Sequence, residues 1–128
     1  NDISRLTKIK KINELITVHE EKLANKLLEF ITSEKKINLI GKSKIENRNR
    51  APTISFTVKG KSSQEVSDAL VSQGIALRND NFYAWRCLKA LGIDTEDGVV
   101  RSSMVHYNNI EDVDRLINAF TKTDILSS

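Results

Sequence analysis

The stretch Gly98 to Leu116, Gly-Val-Val-Arg-Ser-Ser-Met-Val-His-Tyr-Asn-Asn-Ile-Glu-Asp-Val-Asp-Arg-Leu, constrains the fold of this chain more than any other. It predicts a strand that carries an arginine and runs directly into a capped helix. Val99, Arg101, Ser103, Val105 and Tyr107 alternate with Val100, Ser102, Met104 and His106, which puts the two sets on opposite faces. Asn109 is a good N-cap, Asp112 falls at the third helical position, and Glu111, Asp112 and Asp114 bring negative charge to the first turn. Val113, Leu116, Ile117 and Phe120 then form an apolar helical face. An arginine between strand valines is costly to bury alone, so Arg101 needs a carboxylate, a phosphate or a route to water.

The rest of the chain supplies partners for that strand. Leu6, Ile9, Ile12, Ile16, Leu23, Leu27 and Ile31 recur at helical spacing and predict one long helix over residues 3–32, about 45 Å from end to end. Ile37 to Ile40 reads as a short strand, followed by a polar loop from Gly41 to Asn49. Arg50 to Val58 is the clearest strand, with Ile54, Phe56 and Val58 alternating against Thr53, Ser55 and Thr57. Ser62 or Ser63 caps a second helix in which Val66, Leu70 and Val71 face inward and which Gly74 ends. Ile75 to Arg78 reads as a short strand, Asn79 to Asn81 as a loop, and Phe82 to Leu91 as a helix ended by Gly92.

At 128 residues the chain is long enough for one domain with a modest core. No apolar run approaches the ~18 residues of a membrane span, and no secretory pattern opens the chain. A single cysteine rules out an internal disulfide and a cysteine-based zinc cluster, and points to a reducing, cytoplasmic setting. The sole methionine is Met104, which suggests a piece of a longer protein. Residues 1–50 carry 12 Lys/Arg against 7 Asp/Glu, a net +5, whereas the remainder nets −2. Those lysines interleave with glutamates along a helix that has no aromatic platform, so a solvated helix face is expected rather than a nucleic-acid surface.

Arg101 to Leu116 closely resembles the last strand and helix of the small domain of pyridoxal-phosphate enzymes of the class V aminotransferase and cysteine desulfurase group. The pattern there is Arg, small, Ser, apolar, any, any, Tyr-Asn-Thr, any, two acidic residues, apolar, Asp-Arg-Leu; only the capping Thr differs here, replaced by Asn109. Arg50 to Phe56 also resembles the family's arginine, apolar, proline, Thr, apolar, Ser-Phe strand. The resemblance implies that Arg101 pairs through its fork with the carboxylate of an amino-acid substrate, with Arg78 setting the charge around it. It also implies that the helix bearing His19 and Glu20 runs in from a large domain, and that the parent forms a homodimer.

Gly74 to Leu88 resembles the desulfurase segment Gly-Ile-Ala, apolar, Arg, any, Gly-His-His-Cys, whose cysteine carries sulfur as a persulfide. Arg78 is kept, but Asn81 and Phe82 stand for the histidines and Tyr83 for the cysteine. A phenol is far too weak an acid to replace a thiolate as sulfur acceptor. This fits desulfurase-like or epimerase-like relatives better, with Tyr83 as a pocket wall, a hydrogen-bond donor or a purely structural residue. Cys87, one turn on, is expected to be buried and inert beside Leu88 and Leu91. His19 is expected to be packed or half-buried and His106 to be structural or at the surface.

The family's Ser-x-His-Lys context, ring aspartate and stacking histidine belong to its large domain, and this chain has no His-Lys pair. No catalytic, cofactor-binding or metal-binding residue is therefore expected in the chain, and pyridoxal phosphate is expected only in the parent. The expected fold is α+β: a small, mostly antiparallel sheet with helices packed on one side, after a long N-terminal helix. Residues 1–33 would form the link to the large domain and residues 34–128 the sandwich. Pattern alone fits a freestanding ferredoxin-like ligand-binding or regulatory module almost as well, and the resemblance favours the small domain.

Overall fold

Eight elements follow from these patterns in a computed structural model that describes residues 4–46 and 48–127. They are α1 (Arg5–Ser33), β1 (Ile37–Ile40), β2 (Thr53–Val58), α2 (Ser63–Ser72), β3 (Arg78–Asp80), α3 (Trp85–Ala90), β4 (Val99–Ser103) and α4 (Ile110–Lys122), with a 3-10 turn at Asp124–Leu126. The four strands form one antiparallel sheet in the order β1-β2-β4-β3. The fold is the expected α+β sandwich. A ferredoxin-like chain alternates as β-α-β-β-α-β. Here β1 and β2 are consecutive neighbours, and β4 inserts between β2 and β3.

Local chemistry sets the element ends. The Ser4 hydroxyl accepts the Thr7 N–H at 3.3 Å to start α1; residue 3, the expected start, lies outside the described residues. Ser62 and Glu65 form a reciprocal capping box on α2, and Asn109 and Asp112 form another on α4. Hydrogen bonding holds both box carboxyls below the ordinary carboxylate range. For Glu65 the main cause is the Ser62 backbone N–H. For Asp112 it is the Asn108 side chain, then the Asn109 N–H. Gly74 closes α2 with a φ of 75°, while Ile75 N–H reaches back to the Leu70 carbonyl at 3.1 Å.

Period-2 alternation decides what the sheet buries. Ile54, Phe56, Val58, Val100 and Ser102 point to one face and are buried beneath α1, α2 and α4. Leu23, Leu27, Leu28 and Ile31 of α1 meet Val113, Leu116 and Phe120 of α4 over that face. Phe120 lies at its centre, with ring centroids 5.4 Å from Phe30 and 5.8 Å from Phe56. Such tilted pairs add about 0.5–1.5 kcal/mol each beyond the area they bury. Ile45, expected in an open loop, is buried as well. Asn25 holds it by accepting the Ile45 N–H at 2.9 Å and donating to its carbonyl at 3.1 Å.

Four local expectations are corrected. The third strand is Arg78–Asp80 rather than Ile75–Arg78, because Ile75 and Leu77 turn toward the main core and residues 78–80 take the edge of β4. The following helix starts at Trp85, since Phe82 and Tyr83 have left-handed backbones that no α-helix accommodates. Strand β4 stops at Ser103, where Met104 N–H bonds the Pro52 carbonyl and Asn108 Oδ1 accepts the Val105 N–H, so residues 105–108 form a turn. Val71 is exposed, because Gly74 turns the chain away before anything covers it.

Candidate functional site

The other face of the sheet carries the candidate residues. Register places Ile40, Ser55, Arg101 and Arg78 in one row across all four strands. Among the described residues neither arginine takes part in an ion pair; the two that occur are Lys26–Asp114 and Asp112–Arg115. Arg101 is half-buried, and among the described residues no buried side-chain nitrogen lacks a hydrogen-bond partner, so its unpaired N–H groups reach the surface. Of the carboxylate, phosphate or route to water that the sequence required for Arg101, the fold provides the route to water.

An aromatic ring, not an acid, lies against the cation. The guanidinium carbon of Arg101 lies 3.9 Å from the centroid of the Phe82 ring. A contact of this kind contributes about 0.5–1 kcal/mol when exposed and about 2 when desolvated. Phe82 reaches the arginine from a tight turn in which φ is 51° at Phe82 and 60° at Tyr83. Two successive non-glycine residues in that region cost on the order of 1–3 kcal/mol each. Asn81 holds them there: its Oδ1 accepts the Tyr83 N–H at 3.0 Å and its Nδ2 donates to the Thr95 carbonyl at 3.2 Å.

Gly98 completes the arrangement. A Cβ at this position would stand 2.3 Å from the carbonyl carbon of Asp80, so only glycine lets the two backbones come this close. Asp97, just before it, accepts the Ser63 N–H at 2.8 Å and Ser63 donates to the Asp97 carbonyl at 2.6 Å, which ties β4 to the start of α2. Val99 of β4 and Leu88 of α3 are also buried, outside the main core.

Of the residues singled out from sequence, Arg78 and Arg101 are brought together as direct cross-strand neighbours. Tyr83 is on the Phe82 turn and projects into solvent, 93% exposed. The sequence marks Phe82 only as the residue at a family histidine position; its contact with Arg101 spans 19 positions and depends on a left-handed turn. Cys87 is exposed, a correction to the buried position expected of it: α3 turns Leu88 inward and leaves Cys87 and Leu91 outside. His19 is half-buried with Nε2 2.7 Å from the Asn108 carbonyl, an acceptor that requires the proton on Nε2. His106 is exposed, edge-on to Tyr107. Among the described residues no group of three or more His, Cys, Asp or Glu could hold a metal ion.

Pyridoxal phosphate would need an amine for its imine and a ring to stack on it. The strand positions of the open face present arginine, serine, threonine and asparagine together with Ile40, Val99 and Asp80, with no lysine amine to form an imine and no histidine to stack on a ring. These residues do not fit the cofactor itself.

A family model described as aminotransferase class-V matches residues 6–116, and the chain belongs to that family. It is 39% identical over 107 residues to the "Aminotransferase-like protein FGM3" of Gibberella zeae, covering 83% of this chain and 27% of that protein. A "Probable cysteine desulfurase" of Pseudomonas putida is 28% identical over 104 residues, covering 81% and 24%. The solved apo cysteine desulfurase of Thermococcus onnurineus superposes with a TM-score of 0.73 at 26% identity, over 91% of this chain and 28% of that one. The chain thus spans about a quarter of the length of the relatives it matches.

Proposed function

We propose that this chain is the substrate-carboxylate-binding domain of a larger pyridoxal-phosphate enzyme of the class V group. In this reading residues 1–128 are one unit, with α1 leading in from a large domain that holds the cofactor and its lysine. The observation that carries the proposal is the fork of Arg101, held over Phe82 and in no ion pair among the described residues. A planar guanidinium meets a carboxylate through two parallel N–H···O bonds. Arg78, directly opposite, adds positive charge that an arriving anion would relieve.

Closure of this domain over the cofactor would hold the substrate by its carboxylate and orient the bond to be broken, so that remote binding energy serves the reacting centre. Tyr83, on the same turn as Phe82, would form part of the wall beside the substrate. The exposed apolar residues Leu6, Ile9, Ile12, Leu15 and Val18 of α1 support a covering large domain. The parent would act on an amino acid as a homodimer in a reducing, cytoplasmic compartment. The chain alone would turn over nothing, because the lysine that forms the imine would be supplied by the large domain.

The test is Arg101→Ala in the full-length enzyme. Loss of a charge-assisted bidentate pair should lower kcat/KM for the amino acid ~100-fold or more. An unchanged value would remove the carboxylate role.

A further inference from the structure

We infer that Phe82 is a positioning residue for Arg101: its ring sets the plane of the guanidinium so that the N–H fork stands open to a planar carboxylate. The inference rests on the proposed carboxylate role of Arg101 and adds what orients the fork. The guanidinium carbon sits 3.9 Å over the ring centroid, close enough for the flat face of the cation to rest on the ring, and a face contact of this kind leaves the five N–H donors of an arginine free. A carboxylate partner would orient Arg101 equally well, but it would also neutralise it and occupy the donors. An aromatic ring orients the cation and leaves both charge and donors available. The in-register neighbours of Arg101 are Ser55 and Arg78; the acid of the adjacent strand, Asp80, lies opposite Val99, accepts the Asn81 N–H on Oδ1 at 2.7 Å and makes no ion pair with Arg101.

The turn that carries the ring is built around this placement. Phe82 and Tyr83 hold left-handed φ angles of 51° and 60°, unusual for aromatic residues. Asn81 enforces them through Tyr83, Thr95 and its own carbonyl, which accepts the Ala84 N–H at 2.9 Å. Gly98 then lets the Asp80–Asn81 backbone seat directly against the start of β4, three residues before Arg101. The ring is thereby fixed relative to the strand whose side chain it supports. Backbone strain of this sort persists where surrounding contacts over-determine it.

Nitrogen-15 relaxation of the Arg101 Nε–Hε group, measured on the whole 128-residue chain, tests the inference. The wild-type order parameter should be close to the rigid value of ~0.85, and Phe82→Leu should lower it to ~0.6 or less. Phe82→Tyr, which restores a ring face, should restore it, together with the ring-current shift of Hε. Asn81→Ala frees the turn but keeps the ring, and should loosen Arg101 in the same way. An order parameter that stays at the wild-type value in folded Phe82→Leu and Asn81→Ala overturns the inference.

Titration with sodium acetate against matched chloride separates this inference from the reading on which it rests. Acetate should shift the Arg101 Nε resonance, with affinity about fivefold weaker in Phe82→Leu and recovered in Phe82→Tyr. If acetate leaves Arg101 unmoved in every variant, the carboxylate role fails, and the order parameter alone decides the role of Phe82.

Discussion

Arg78 and Arg101 face each other directly across the β3–β4 pair, and neither takes part in an ion pair among the described residues. Like charges placed this way cost about 0.2–1 kcal/mol. Arg78→Thr should therefore raise the stability of the isolated chain by roughly 0.5 kcal/mol at low salt, with the gain fading as ionic strength rises. Urea unfolding at two salt concentrations measures this. A loss of stability at low salt would mean that an acid pairs with Arg78 in solution.

Gly98 is predicted to be intolerant of any side chain. Gly98→Ala would force a methyl group into the Asp80 carbonyl at a φ of 75°. It should cost about 2 kcal/mol or more and should also displace the Asn81–Tyr83 turn. Amide chemical shifts of residues 80–84 report the displacement alongside the thermal midpoint.

Tyr83 offers the opposite case. It is 93% exposed and holds a φ of 60°, so its side chain gains little from the fold while its backbone is strained. Tyr83→Asn, a residue that tolerates this conformation, should stabilise the chain by about 0.5 kcal/mol or more. A clear destabilisation in chemical denaturation would show that the phenol makes contacts of its own.

The two capping boxes predict acid sensitivity. Glu65 and Asp112 are held below their ordinary values, so the stability they contribute is complete above pH ~5, clear of both ordinary values, and is lost as pH falls through their lower folded values. Urea midpoints from about pH 7 down to about pH 3 should decline, and the decline should be shallower in Glu65→Gln/Asp112→Asn. Separately, Asn109→Ala should cost about 1 kcal/mol at neutral pH through loss of the cap.

What the sequence made legible was local. Asn109, Asp112 and the apolar spacing of α4 lie within a few residues of one another, so a cap and a face can be read without knowing any partner. The alternation in Ile54, Phe56 and Val58 likewise reports one buried face. The misplaced details all depend on distant contacts. Strand β3 falls at Arg78–Asp80 because Gly98 admits that backbone, and Ile75 and Leu77 are apolar for the main core rather than for the sheet. Ile45 is buried because Asn25, on another element, satisfies its backbone. Cys87 is exposed because α3 is only two turns long and buries Leu88 alone. In the candidate site, the two arginines were readable from the resemblance, whereas Phe82 required the fold.

The central claim is that Arg101 recognises a carboxylate, and a comparison of two substrates tests it most directly. In the full-length enzyme, kcat/KM is measured for an amino acid and for the amine that lacks its carboxylate, with wild type and Arg101→Gln. The account predicts a loss of ~100-fold or more on the amino acid and at most a few-fold on the amine. Equal losses on both would show that Arg101 supports the fold or the cofactor environment instead, and would contradict the assignment.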